Sequence, residues 1–119
     1  MNPIRTSELE LLREYVLLPY LLTVLERDKR AVEQSQLKYQ NVYIEIIESA
    51  MNKATKEITR LKQVLGKMGI KVNLETRREF DVCIEYSCRG YVDTFVMQWV
   101  YLSAEVQIRV KKYLSNPPE

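Results

Sequence analysis

A mostly helical α+β fold is predicted by three observations. The stretch from Tyr20 to Leu65 holds no Gly or Pro and is rich in Leu, Ile, Glu, Lys, Gln and Arg, a helix-forming composition. After Gly66 and Gly69 the apolar period changes from 3.6 residues to 2, the mark of strands. Past Gly90 the helical period returns and runs to Asn116, Pro117 and Pro118. The expected order is an N-terminal helix, a long helix, a two-stranded antiparallel β-hairpin and a C-terminal helix. One domain over residues 1–115, with the hairpin at about 70–88 and a loose tail at 116–119, suits a chain of 119 residues.

The N-terminal helix is expected from Ser7, whose spacing to Glu10 is that of a capping box. Leu9, Leu12 and Val16 form one apolar row, with Leu11, Tyr15 and Leu18 beside it. Pro19 removes a backbone donor and crowds the preceding turn, so an end or sharp kink is expected near Leu18.

For Tyr20 to Leu65 the sequence leaves one helix or two. Leu25, Val32, Tyr39 and Ile46 fall at seven-residue steps through the polar zone between Glu26 and Gln40, and Ile47, Ala54, Leu61 and Met68 continue one residue on. We favour continuity on that ground, with a break at Asp28 to Ser35 as the alternative. A continuous helix would be about 69 Å long, beyond what the remaining residues could cover. Its narrow coiled-coil-like seam, Leu25, Val32, Tyr39, Tyr43 and Ile46, then calls for a helix of another chain.

The hairpin is read from two alternating runs, Ile70, Val72, Leu74 and then Phe80, Val82, Ile84, Tyr86, joined by a polar loop at Thr76 to Glu79. Its polar face sets Asp81, Cys83 and Glu85 in a row, a set too common to indicate acid–base or metal chemistry. Cys83 lacks the His a nucleophilic thiol would want, because the chain has none, and no metal or cofactor is expected. Cys83 and Cys88 fall on opposite faces, so free thiols are expected. The C-terminal helix is read from Tyr91 to Leu114, with Val92, Phe95, Val96, Trp99, Ser103, Val106 and Val110 on one face. Met97, Val100, Tyr101, Leu102 and Ile108 make it apolar nearly all round, which predicts a central position in the core. Tyr15, Tyr43, Tyr86 and Trp99 are also expected in the core.

A net charge of +2 is too small to drive the chain onto nucleic acid or an anionic membrane by bulk electrostatics. No secretory-leader layout precedes the first helix, and the longest apolar window, Tyr15 to Leu25, is about half of the roughly 20 residues a span needs. A cytoplasmic setting is expected, with no membrane and no small-molecule substrate. The function expected is a non-enzymatic interaction protein, an adaptor, regulator or assembly component. Its partner is another copy, a dimer first, or another protein, met through the long helix and the hairpin. The alternative is a small nucleic-acid-binding regulator that uses the basic hairpin residues Lys71, Arg77, Arg78 and Arg89.

Overall fold

The computed structural model describes residues 3–115, so the expected stop at Asn116 to Pro118 and the loose tail lie outside the described residues. The elements run α1 (Thr6–Glu33), α2 (Gln40–Lys67), β1 (Ile70–Arg77), β2 (Asp81–Cys88), β3 (Tyr91–Gln98) and α3 (Trp99–Ser115). The class is α+β and mostly helical, but the sheet has three antiparallel strands in the order β1-β2-β3.

Three expectations are corrected here. First, α1 does not end at Leu18: it starts at Thr6, where Glu8 accepts from the backbone N–H of Arg5 at 3.0 Å, and runs 28 residues through Pro19. A proline inside a helix costs about 3 kcal/mol. The helix persists because Leu17, Leu18 and Leu21 around it are at most 1% exposed, and burying each such side chain returns about 1.5–3 kcal/mol.

Second, Tyr20 to Leu65 is two helices. The chain reverses between Glu33 and Gln40, and α1 and α2 lie together as a helical hairpin. No Gly or Pro makes the break. Side chains supply the stop instead: Ser35 Oγ donates to the carbonyl of Val32 at 2.5 Å, and Gln40 Nε2 donates to the carbonyls of Val32 and Glu33 at 2.7 and 2.6 Å. These are carbonyls that the end of a helix leaves without an intrahelical donor. Part of the seam is therefore covered within the chain: Leu25 and, at the margin, Val32 join the core in which Leu18 and Leu21 of α1 meet Ile47, Ala50, Ala54 and Leu61 of α2.

Third, Tyr91–Gln98 is a strand and not the start of the last helix. Arg89 and Gly90, with φ of 50° and 89°, form a two-residue turn of the kind whose twist suits a hairpin. β3 then pairs with β2 from Cys88↔Tyr91 to Asp81↔Gln98. Its β-branched and aromatic residues suit a pleated surface. The shorter α3 buries Leu102, Val106 and Tyr113 and leaves Val100, Tyr101 and Ile108 outside, so it is not the central element. That position belongs to α1, which contributes Leu12, Val16, Leu17, Leu18, Leu21 and Leu25.

β2 is the middle strand. Its even-numbered residues Val82, Ile84, Tyr86 and Cys88 are buried against the helices, and Asp81, Cys83, Glu85 and Ser87 face outward. β1 slips register between Val72 and Leu74. The extra residue turns Leu74 out, 57% exposed, and Phe80 stands in the β1–β2 turn at 75%, so neither joins the apolar face expected of it. Of the four aromatics expected inside, Tyr86 is buried, Tyr15 and Trp99 are half-buried, and Tyr43 is exposed. The molecule measures 57 × 35 × 19 Å with a radius of gyration of 16.3 Å, longer than the about 13–14 Å of a compact chain this size.

Candidate interaction surface

The sheet is fastened to the helices at both ends. At one end Met68 caps α2 and Gly69, at φ 75°, turns the chain into β1, its carbonyl accepting from Arg89 N–H at 2.8 Å. A Cβ on Gly69 would approach Arg89 Cγ to 3.1 Å, so glycine serves both the conformation and the close approach here. The Arg89 guanidinium reaches across to α1, donating to both Glu8 oxygens at 2.9 and 3.1 Å and to the carbonyls of Met68 and Pro3 at 3.0 and 2.7 Å. The Arg89 hydrogen bonds, with the Arg5 backbone N–H, hold the Glu8 carboxyl down at about 2. At the other end Tyr20 donates to Glu75 at 2.9 Å, Trp99 Nε1 donates to the carbonyl of Arg78 at 2.8 Å, and the two rings meet edge to face at 6.0 Å.

These fastenings account for most of the basic hairpin residues. Arg89 is committed to Glu8. Arg78 donates to Asp81 at 2.5 Å, and Arg77 lies over the Tyr20 ring with its Nε 3.4 Å from Glu75. Lys71 is exposed near the start of β1, beside Tyr15, Lys62 and Leu65. The four are thus spread along the sheet, and the three arginines each face a carboxylate of the same chain.

The five residues expected to meet a partner divide differently. Leu25 is buried in the chain's own core at 1% exposure, and Val32 is packed at its margin. Tyr39, Tyr43 and Ile46 are brought together on the first turns of α2, at 58%, 44% and 44% exposure. Leu37 and Val42, which the seven-residue steps pass over, join them. Tyr39 to Tyr43 and Val42 to Ile46 are i, i+4 pairs, so each pair lies on one side of the helix. That signal was present in the sequence.

Beside this cluster lies a shallow, mostly apolar groove between the helices, lined by Val32, Leu37, Tyr43, Ile46, Ile47 and Leu114, with Asp28 the charged residue on its wall. Its surroundings carry both signs of charge. Lys29 of α1 sits 3.7 Å from Glu48 of α2, and Lys38 lies over the Tyr39 ring at 5.4 Å. Single exposed apolar side chains are ordinary, but a contiguous group rimmed by charge is the form that interaction sites take.

Asp81, Cys83 and Glu85 do share the outer sheet face, with Asp81 taken up by Arg78. Among the described residues no group of three or more His, Cys, Asp or Glu side chains converges as a metal site would require. Both cysteines are free thiols, Cys83 partly exposed and Cys88 buried. Titration of the native protein with a thiol reagent is expected to consume one equivalent quickly and the second only on unfolding. Two fast equivalents would show that the Cys88 side of β2 opens in the native state.

Among the described residues no helix is long and apolar enough to cross a membrane. No curated protein and no solved structure matches the chain. With its match covering residues 3–118, and so nearly all of the fold just described, the chain belongs to the YhjD protein family.

Proposed function

We propose that this chain is a non-enzymatic interaction protein, an adaptor, regulator or assembly component, that pairs with a second copy of itself through the hinge end of the α1–α2 hairpin. The observation that carries the reading is the concentration of Leu37, Tyr39, Val42, Tyr43 and Ile46 within ten residues, each at least 44% exposed, next to an apolar groove. Covering such a patch releases apolar surface from water at about 25 cal/mol per Å². A two-fold pairing uses the same patch on both copies, so the patch must not repel itself. This one carries both signs of charge, Lys38 and Glu45 within the same ten residues and Asp28 on the wall of the groove, so like charges need not meet. Tyrosine suits the role, since it presents a large rigid face with a hydroxyl at the rim.

Sedimentation velocity at micromolar concentration tests the reading. The wild-type chain is expected to sediment as a multiple of its 14.1 kDa mass. Tyr43→Glu combined with Ile46→Lys is expected to halve the assembly while leaving the far-ultraviolet circular dichroism unchanged, because both side chains are substantially exposed in the single copy. A monomeric wild type, or an assembly indifferent to the two changes, overturns it.

A further inference from the structure

Where the last turns of α2 pass the start of β1, beside Tyr15 of α1, the fold leaves a cavity of about 400 Å³. That volume falls within the range of small-ligand sites. Its apolar lining starts with Leu65 and Ile70, each 3% exposed and joined in one cluster with Leu12 and Tyr86. Val72 and Tyr15, both half-buried against that cluster, extend it. Lys62 of α2 and Lys71 of β1 are the charged residues that border the space, and no acidic residue does.

Three features of this cavity have no part in holding the fold. Neither Lys62 nor Lys71 forms an ion pair or a side-chain hydrogen bond with another described residue. Lys71 differs in this from Arg77, Arg78 and Arg89, each of which faces a carboxylate of the same chain. The Tyr15 hydroxyl likewise has no hydrogen-bond partner among the described residues, and it is open to solvent. The third feature is Gly66. Gly69 and Gly90 have the left-handed φ that calls for glycine, whereas Gly66 sits inside α2, which runs on to Lys67 and is capped by Met68. A Cβ at Gly66 would meet no atom within 4 Å, so no close approach requires glycine either. Glycine is a poor helix former, and what its missing side chain does here is leave the cavity open. Lys62 lies one turn earlier on the same side of the helix.

We infer that this cavity binds a small amphiphile, an anionic head of carboxylate or phosphate on a single aliphatic chain, with the chain on Leu65, Ile70 and Val72 and the head between Lys62 and Lys71. Charge selects the head: two ammonium groups without partners meet no competing carboxylate in the lining. The helix end does not oppose it, because the carbonyls of Val64, Leu65 and Gly66 already accept from the backbone of Met68 and Gly69. Lysine suits a site of mixed character, since its stem lies along apolar surface while its ammonium stays at the rim. The Tyr15 hydroxyl adds a neutral donor at the border of the same space. Lys62 is about 28 Å along α2 from Tyr43, so this site does not rest on the hinge pairing.

Isothermal titration calorimetry on the full chain tests the site. Sodium decanoate is expected to bind saturably with a Kd below about 1 mM, and to bind more tightly than octanoate by about fourfold for each added methylene. Decyl phosphate in parallel distinguishes the two heads: the tighter ligand identifies the head, and binding of either supports the site. Decyltrimethylammonium has the same chain with the opposite charge and is expected not to bind; affinity equal to that of decanoate overturns recognition of an anion. Lys62→Glu with Lys71→Glu is expected to weaken decanoate about tenfold with unchanged circular dichroism, both side chains being exposed. Gly66→Leu is expected to weaken it by about tenfold or more by filling the cavity, in a protein whose Tm is equal or higher because leucine is the better helix former. Failure of both anionic ligands to bind the wild type, or binding that Gly66→Leu does not alter, overturns the inference. The hinge variant Tyr43→Glu with Ile46→Lys is expected to bind decanoate as the wild type does, so failure of the hinge reading and failure of this one show separately.

Discussion

Replacing Leu12 by Ala is expected to be the most damaging of the single changes considered for the fold, lowering stability by about 3 kcal/mol, within the roughly 2–5 kcal/mol range for buried leucines. Leu12 is fully buried and belongs to a small cluster with Leu65, Ile70, Tyr86 and Cys88, the side chains by which α1 holds the inner face of the sheet and the end of α2. The change removes three carbons from a site bordered by two strands and two helices, which have little freedom to close on the cavity left behind. Domains of this kind hold about 5–15 kcal/mol in total, so the loss is a large fraction. Chemical denaturation would measure it, as a lower midpoint with an unaltered slope. Leu37→Ala is the matched control: the same atoms leave a side chain that is 50% exposed at the hinge, and dilute protein should lose well under 1 kcal/mol. If Leu37→Ala proves as costly as Leu12→Ala when measured at high protein concentration, the excess reports a contact covering the hinge, because association stabilises by mass action.

The parts of the fold legible in the sequence are those whose signal is local and unopposed. Val82, Ile84 and Tyr86 alternate cleanly with Cys83 and Glu85, and β2 has that alternation in its burial. β3 was misread because its apolar residues satisfy two periods at once. Val92, Phe95, Val96 and Trp99 fit a helix, while Tyr91, Phe95 and Met97 against Val92, Thr94 and Val96 fit a strand. Pairing with β2 decides between them, and that is a tertiary fact. The reversal at Gln34 to Tyr39 was hidden for a different reason. Its stop depends on Gln40 reaching back eight residues to Val32, a contact with no composition signature. The seven-residue steps ran through the turn without marking one covered face: Leu25 and Val32 pack inside, whereas Tyr39 and Ile46 are exposed. Pro19 gave a true local signal that burial of its leucine neighbours outweighed. At the candidate surface, Tyr39, Tyr43 and Ile46 were legible as apolar residues on a polar stretch, whereas Leu25 belongs to the same steps and lies in the core. Repeat spacing alone does not say which member of a stripe the chain itself covers.

The pair Glu8–Arg89 is expected to make stability fall in acid through one identifiable group. Glu8 is 7% exposed, and its carboxylate accepts from Arg89 through both oxygens and from the backbone of Arg5. Those partners favour the ionised form, so its folded value lies at about 2 against an ordinary 4.5. A depressed value means that the folded state holds the proton less readily than the unfolded chain. The resulting stabilisation is fully present above pH 4.5 and is lost as the pH falls from there through about 2. With Arg89 itself 40% exposed at its side chain, solvent screens the contact and keeps its contribution at neutral pH modest. Glu8→Gln should therefore lower Tm by roughly 5 °C at pH 7, and the gap to wild type should narrow steadily between pH 4.5 and 2. Arg89→Gly makes the complementary measurement. Glycine accepts the left-handed φ of 50° at this turn position without strain, so what that change removes is the guanidinium. The Arg89→Gly gap should narrow over the same pH range without closing, because the guanidinium's hydrogen bonds to the Met68 and Pro3 carbonyls do not titrate there, and in a double-mutant cycle the combined loss should be smaller than the sum. A Glu8→Gln gap that stays constant down to pH 2 would show that the carboxylate's charge contributes nothing, and that Glu8 serves α1 only as a hydrogen-bond acceptor at its first turn.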